Sequence, residues 1–199
     1  LNSKMITFFV GAWFGPHRLT IRNDVPNDDG RVRIGPFPMQ YDLPETTVPQ
    51  INSSITPDGK LDEPEWTVAV VLDPFVLAPD GAPSDRVRAR LLWNSRYLYA
   101  AFEIRDPMIG ARLTRRDDAI YDEDAVQVLL DEDGDGKDYY DFAISPTGVV
   151  YDCLLDEPGK GEAKAFNATE FRAGIALDGA ANDADPDRGY TIELQIPFH

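Results

Sequence analysis

Short segments in which apolar and polar residues alternate dominate the chain after residue 50, and they restrict the folds that it can form. In residues 125–131, Val126, Val128 and Leu130 fall on one face, because successive side chains of a β-strand point to opposite sides of a sheet. The same alternation runs through residues 86–93, 139–145 and 189–198. No apolar stripe with helical spacing extends over about ten residues or more.

Turn-forming sequences separate these segments, for example SPTG at residues 145–148 and the acidic stretch at residues 131–138. Several short alternating strands joined by turns are typical of an antiparallel sandwich. We therefore predict an all-β domain over residues 51–199, an antiparallel two-sheet β-sandwich of the jelly-roll or immunoglobulin-like kind. Six residues are expected to be buried between its sheets: Val126, Val128, Phe142, Ile144, Ile192 and Leu194.

The first 50 residues are predicted to form a separate, extended, Pro-rich N-terminal arm. Residues 5–15 are an apolar run of 11 residues, whereas about 20 are needed to span a bilayer. Residues 23–50 are rich in Pro, Asp and Gly and show no sustained period. Four aromatic residues of the apolar run are expected to be buried against another protein subunit or at a membrane interface. They are Phe8, Phe9, Trp13 and Phe14.

The composition excludes several classes of partner and site. The chain has 19 Lys and Arg residues against 35 Asp and Glu residues, for a formal net charge of -16. This acidic excess argues against nucleic acid and anionic lipid headgroups as partners. Cys153 is the single cysteine, so the chain holds no internal disulfide, and with two His it offers no zinc pattern.

Five motifs stand in the order and spacing of one protein family. They are DGKLDEPEW at 58–66, LLWNSRYLYAAFEIRDP at 91–107, DEDAVQVLLDEDGDG at 122–136, YYDFAISPTGVVYD at 139–152 and GYTIELQIPF at 189–198. From about Ile51 to Phe198 the chain resembles a family 9 carbohydrate-binding module, the β-sandwich found on xylanases and related to DOMON domains. The resemblance implies a β-sandwich that binds sugar.

The resemblance also implies a ligand site, a clamp of two aromatic rings with polar side chains that hold sugar hydroxyls. By motif, the first ring falls at Tyr121 and an acidic ligand residue falls at Gln127, which keeps hydrogen-bonding capacity without charge. An arginine of the family falls at Ala143, which cannot hold a hydroxyl, and the second ring lies beyond the last motif. If glycan binding is retained, Tyr121 and Gln127 are its candidate residues, and we expect the affinity to be weak or absent.

A calcium site is a second candidate. Asp131, Asp133 and Asp135 alternate before a glycine, as in the first half of a calcium loop. The twelfth position of such a loop is Phe142, where an EF-hand requires a bidentate Glu. An EF-hand is therefore excluded, and a calcium ion on this turn remains an alternative to a solvated acidic hairpin.

Haem and catalysis are not expected. Related sandwich domains carry haem b, but Met108 and His17 are the only candidate ligands and nothing pairs them. Residues 122–124 are three adjacent carboxylates, yet successive strand residues face opposite ways and would not converge on one bond. No nucleophile elbow is present. We therefore predict that the chain is not an enzyme and requires no cofactor.

Two functions follow from these observations. We favour a non-catalytic exported subunit that docks, through its N-terminal arm, in a larger, membrane-associated protein assembly. The alternative is a carbohydrate-binding module that recognises glycan chain ends. The resemblance and the acidic charge both indicate an extracytoplasmic location, periplasmic or at the cell surface.

Overall fold

The computed structural model describes residues 5–12, 19–22, 46–73, 75–77, 82–131, 138–155 and 164–198. Its strands are β1 (Met5–Ala12), β2 (Leu19–Arg22), β3 (Val70–Leu72), β4 (Phe75–Leu77), β5 (Ala82–Ser84), β6 (Val87–Trp93), β7 (Tyr97–Ile104), β8 (Ala125–Asp131), β9 (Tyr139–Ile144), β10 (Val150–Leu155), β11 (Lys164–Ala165), β12 (Arg172–Asp178) and β13 (Gly189–Pro197). Two 3₁₀ helices span Pro64–Val68 and Ile120–Asp122. The described part of the chain has no helix long and apolar enough to cross a membrane.

The strands form two large sheets and a hairpin. One sheet has the order β11-β10-β9-β8-β1-β2, the other has the order β12-β13-β7-β6-β3, and β4 pairs with β5. Neighbouring strands are antiparallel except β1 and β8, which are parallel. The predicted all-β sandwich is confirmed.

The main core lies between the two large sheets. It takes alternate residues from both of them, as the period of two predicts. All six residues predicted to be buried are at most 1% exposed: Val126, Val128, Phe142, Ile144, Ile192 and Leu194. Within this core, Phe142 stacks on Phe171 with ring centroids 5.4 Å apart. The prediction of the core residues is therefore confirmed.

A second cluster covers the other side of the five-stranded sheet. Trp66 and Ile55 pack there against Leu92, Tyr99 and Ala101 of β6 and β7. Trp66 is only 3% exposed. Ile55 and Trp66 therefore anchor residues 55–66 over this sheet, and Trp66 packs in the interior, where it cannot stack on a ligand.

The N-terminal segment differs from its prediction. Residues 5–12 form β1, which lies beside β8 with Phe8 and Phe9 opposite Val128 and Leu129. Without this neighbour β8 would present a row of unpaired backbone groups on one side, and pairing with β1 satisfies them. The backbone of this segment thus pairs within the chain's own sheet, and the burial of the Phe8 and Phe9 rings against a partner subunit or a membrane interface stays a prediction. Trp13 and Phe14 lie outside the described residues, and the domain boundary at residue 50 stays a prediction.

Candidate functional site

Three strands bring eight residues together on the side of the six-stranded sheet that faces away from the main core. We call this side the Gln127 face. It consists of Ala125, Gln127 and Leu129 of β8, Tyr139, Asp141 and Ala143 of β9, and Tyr151 and Cys153 of β10. In the register, Gln127 lies opposite Ala143, and Asp141 lies between Leu129 and Cys153. Residues distant in sequence thus become neighbours on one surface.

Tyr121 lies at one end of the Gln127 face. The residue is 43% exposed, and its ring meets that of Tyr151 edge-on, with centroids 5.7 Å apart at 84°. The preceding residue, Ile120, is fully buried and packs with Ala125 and Ala143 of the face. Tyr121 is therefore held at the rim by its buried neighbour, with its ring partly open to solvent.

Acidic side chains fix the loop that carries Tyr121. The Oε2 atom of Glu123 accepts hydrogen bonds from the backbone N–H groups of Arg112 and Leu113, at 2.6 and 2.9 Å. The Oδ2 atom of Asp124 accepts one from the N–H of Gly110, at 2.7 Å. These carboxylates thus accept hydrogen bonds from backbone N–H groups of the loop and hold it in place.

Gln127 and Asp141 form a buried polar pair at the centre of the face. The Nε2 atom of Gln127 donates to Oδ2 of Asp141 at 2.8 Å. Asp141 is 4% exposed, and its Oδ1 atom accepts no hydrogen bond from the described residues. Burial raises the pKa of Asp141 to about 7, although the bond from Gln127 opposes this shift. The carboxyl group therefore titrates near neutral pH.

The other ionisable groups of the face are neutral at that pH. Burial raises the pKa of Tyr139 to about 12 and that of the Cys153 thiol to about 11. Burial also raises the pKa of Tyr151. Among the described residues of the Gln127 face, Asp141 is thus the group whose charge changes near neutral pH.

Sequence reasoning missed Asp141. It lies between Tyr140 and Phe142 in an alternating strand, and its position two residues before Ala143 places it on the same side as a motif position. That periodicity is a signal from which the side of the strand could have been predicted. The hydrogen bond to Gln127 could not be predicted in this way, because it depends on the register between β8 and β9.

The metal and haem candidates are only partly described. Asp131 ends β8, whereas Asp133 and Asp135 lie outside the described residues, so the calcium site stays a prediction. No group of three or more His, Cys, Asp and Glu in the described ranges is arranged to hold a metal ion. Met108 is 56% exposed, and His17 lies outside these ranges.

Comparison with known proteins identifies the family. The family described as "Carbohydrate family 9 binding domain-like" matches residues 57–199. This chain belongs to that family. The predicted resemblance is confirmed, and the match covers every strand of the sandwich except β1 and β2.

Two curated relatives of this family 9 domain are polysaccharide-degrading enzymes by name. Exoglucanase XynX of Acetivibrio thermocellus is 28% identical over 143 residues, which cover 71% of this chain and 11% of that protein. Endo-1,4-beta-xylanase C of Paenibacillus barcinonensis is 26% identical over 194 residues, which cover 92% of this chain and 15% of that protein. The chain thus spans only a small part of each relative's length.

Two solved structures share the fold of this family 9 domain. One is a family 9 carbohydrate-binding module from Caldicellulosiruptor kristjanssonii in complex with cellotriose, with a TM-score of 0.54 and 20% identity over 76% of this chain and 66% of that chain. The other is a module of the same family and organism in complex with glucose, with a TM-score of 0.53 and 19% identity over 76% and 68% of the two chains.

The structure brings the motif-derived positions of the family 9 domain onto one face. Gln127 and Ala143 are register partners, and Tyr121 reaches the same face through Tyr151. Ala143 is buried at 1% exposure and offers no polar side-chain atom. Asp141 supplies a carboxylate beside these positions.

Proposed function

We propose that this chain is a non-catalytic carbohydrate-binding module that binds an oligosaccharide on the Gln127 face. The observation that supports this most is the partly exposed ring of Tyr121 at one end of a face whose centre holds the Gln127–Asp141 pair. An aromatic platform beside a few fixed polar groups is the arrangement that sugar sites use.

Each part of this face has a role in the proposal. The apolar C–H face of a pyranose packs on the partly exposed side chain of Tyr121, at the rim of the face that holds the buried Gln127–Asp141 pair. The described residues provide one exposed aromatic residue at this site, and the side chain of Ala143 has no atom that could hydrogen-bond to a hydroxyl. We therefore expect a dissociation constant of about 0.1–1 mM, equivalent to roughly −5.5 to −4 kcal/mol.

The favoured sequence-based reading, a subunit that docks in a membrane-associated assembly, is not supported. The comparisons favour the carbohydrate-binding alternative. That reading assigned Phe8, Phe9, Trp13 and Phe14 to a partner surface, whereas the backbone of residues 5–12 pairs with β8 of the same chain. We therefore do not pursue the docking function.

Extracellular action on plant-type polysaccharides is part of the proposal. Relatives named as an exoglucanase and endo-xylanases carry a segment similar to this chain. Their polymeric substrates are too large to cross a membrane, so a module that accompanies such enzymes would work outside the cell. Association with a membrane is not part of the proposal.

Titration calorimetry of the 199-residue chain with cellotriose and xylotriose tests the function. We expect weak, saturable binding to at least one of these sugars. The absence of binding to both sugars up to about 10 mM, roughly −2.7 kcal/mol, would contradict the proposal. Replacing Tyr121 with Ala provides the matched control for the site.

A further inference from the structure

The loop segment 110–113 has a backbone in which every N–H group is held by a side chain from another part of the chain. The carboxylates of Glu123 and Asp124 accept three of these N–H groups. The fourth belongs to Ala111 and donates to Oδ1 of Asn182 at 2.8 Å, while Nδ2 of Asn182 donates back to the carbonyl of Ala111 at 2.7 Å. The segment is therefore fixed in the free protein, and such preorganisation reduces the entropy that a ligand must offset.

Arg112 stands on this fixed backbone with an exposed side chain, and its guanidinium contacts no group of the described part of the chain. Every other arginine whose side chain the structure describes takes part in a contact. These arginines are Arg86, Arg88, Arg90, Arg96, Arg105, Arg115, Arg116, Arg172 and Arg188. The N–H donors of Arg112 thus remain available to a ligand.

Asp122 provides an acceptor next to Tyr121. It is the last residue of the 3₁₀ helix Ile120–Asp122, and its exposed carboxylate, like the guanidinium of Arg112, contacts no group among the described residues. Arg112 is close to the same rim, because Glu123 holds its N–H at 2.6 Å and lies two residues after Tyr121, a span of at most about 7 Å. A charged donor and a charged acceptor thus stand open to solvent near one exposed aromatic residue.

We propose that Arg112 and Asp122 bind hydroxyl groups of the saccharide that packs on Tyr121, and that Glu123 is a positioning residue for Arg112. This inference rests on the proposed function and assigns the polar contacts of that site. Arg112 donates to hydroxyl oxygens, and Asp122 accepts from a hydroxyl. The arginine that the family motif places at residue 143 is an alanine here, so Arg112 supplies a guanidinium from a different part of the chain.

The charges of this rim favour a neutral saccharide. A hydroxyl group both donates and accepts hydrogen bonds, so a neutral sugar can use Arg112 and Asp122 together. A uronate carboxylate only accepts, and it would approach Asp122 and Glu123 as well as Arg112, in a chain whose formal net charge is -16. We therefore expect cellotriose to bind better than an oligosaccharide of glucuronic acid.

Calorimetric titration of cellotriose into the full chain at pH 7 tests these contacts. Arg112→Gln and Asp122→Asn should each lower the affinity at least about fivefold, because each removes a charged partner of a hydroxyl group. Arg115→Gln is the matched control in the same loop, since its 85% exposed side chain already pairs with Asp118. Asp62→Asn is the exposed control for the carboxylate. Both controls should change the affinity less than about twofold.

Thermal melting distinguishes binding from a structural role. The side chains of Arg112 and Asp122 are exposed and contact no described group, so both variants should melt within about 2 °C of the wild type. A loss of affinity accompanied by a larger fall in melting temperature would attribute the effect to the fold and overturn the inference.

Glu123 is tested through its dependence on Arg112. Glu123→Ala leaves the N–H groups of Arg112 and Leu113 without their acceptor and should weaken cellotriose binding, whereas Glu123→Gln keeps an amide oxygen and should bind within about threefold of the wild type. In an Arg112→Gln background, Glu123→Ala should cause no further loss, because its effect acts through Arg112. A further loss in that background would overturn the positioning role.

The outcomes separate this inference from the proposed function. If the wild type binds no saccharide, the proposed function fails and the inference falls with it. If the wild type binds but either Arg112→Gln or Asp122→Asn binds within about twofold of it, the inference is overturned and the function stands. Binding of a glucuronic-acid oligosaccharide as tight as that of cellotriose would also overturn it.

Discussion

The Nε1 atom of Trp66 donates a 2.8 Å hydrogen bond to Oε1 of Glu193, although the two residues are 127 positions apart. The other carboxylate oxygen accepts the backbone N–H groups of Asp58 and Gly59, at 2.9 and 2.8 Å. Glu193 is fully buried, and burial raises its pKa. The first and last motifs of the chain are thus joined around one carboxylate.

Trp66→Phe should destabilise the sandwich. The change removes a donor from a buried carboxylate while it keeps most of the ring packing, so we expect a loss of about 1–3 kcal/mol in the free energy of unfolding. Urea denaturation with the linear extrapolation measures it. Thr67→Ala, at an exposed neighbouring residue, is the control and should cost less. Equal stability of Trp66→Phe and the wild type would show that the hydrogen bond contributes nothing.

Asp141→Asn should become progressively more stable than the wild type as pH rises. The folded-state pKa of Asp141, about 7, lies above the unfolded value of 3.8. The folded state therefore binds more protons between these values, and its stability falls as pH rises through this window. A shift of about three units corresponds to at most roughly 4 kcal/mol.

Urea denaturation of both proteins at pH 5, 6, 7 and 8 measures this difference. Other buried carboxyl groups, such as Glu193, titrate in both proteins, so only the difference between the two curves reports Asp141. A difference that stays constant from pH 5 to 8 would mean that Asp141 does not titrate in this range.

Tyr121→Ala should weaken oligosaccharide binding without unfolding the domain. Tyr121 is 43% exposed, so its removal costs mainly the edge-on contact with Tyr151, while the sugar loses its platform. Stacking on an aromatic ring is worth about 1 kcal/mol, which predicts a loss of roughly fivefold or more in affinity. Leu177→Ala, at a residue 39% exposed on the other sheet, should leave binding unchanged. Calorimetry that finds equal losses for both variants would contradict the site.

Gly174→Ala should be strongly destabilising, because β12 approaches the DGKLDEPEW segment closely. A Cβ atom on Gly174 would lie 2.2 Å from the backbone N of Asp58. Backbone atoms cannot move away as a side chain can, so we expect a loss of about 2 kcal/mol or more in unfolding free energy. A Cβ atom on Gly110 would meet its nearest atom at 3.7 Å. Thermal melting should therefore show a far smaller effect for Gly110→Ala, and similar melting temperatures for the two variants would contradict a close backbone contact at Gly174.

The core could be predicted from the sequence because the period of two is a local signal. Val128 and Phe142 were assigned to the interior correctly without knowledge of which strands adjoin. The pairing of β1 with β8 could not be predicted in this way, because it joins segments more than a hundred residues apart and leaves no local pattern. The apolar composition of β1 alone fits a partner surface equally well.

The candidate site also contains residues that the sequence predicts and one residue that only the strand register brings in. Tyr121 and Gln127 came from motif positions, whereas Asp141 acquires its significance only through the register that sets it beside Gln127. Its raised pKa depends on burial, and alternation does not show which apolar groups cover a face. Sequence patterns thus identified the positions of the face but not the carboxyl group at its centre.

Chemical-shift mapping of the full chain with cellotriose tests most directly the claim that the Gln127 face binds oligosaccharide. We expect concentration-dependent shifts of the backbone amide signals of Tyr121, Gln127, Asp141 and Tyr151, saturating in the range of about 0.1–1 mM. Signals of residues 55–66 and of β12, on the other sheet, should stay in place. Shifts confined to those other regions, or no shifts up to about 10 mM sugar, would contradict it.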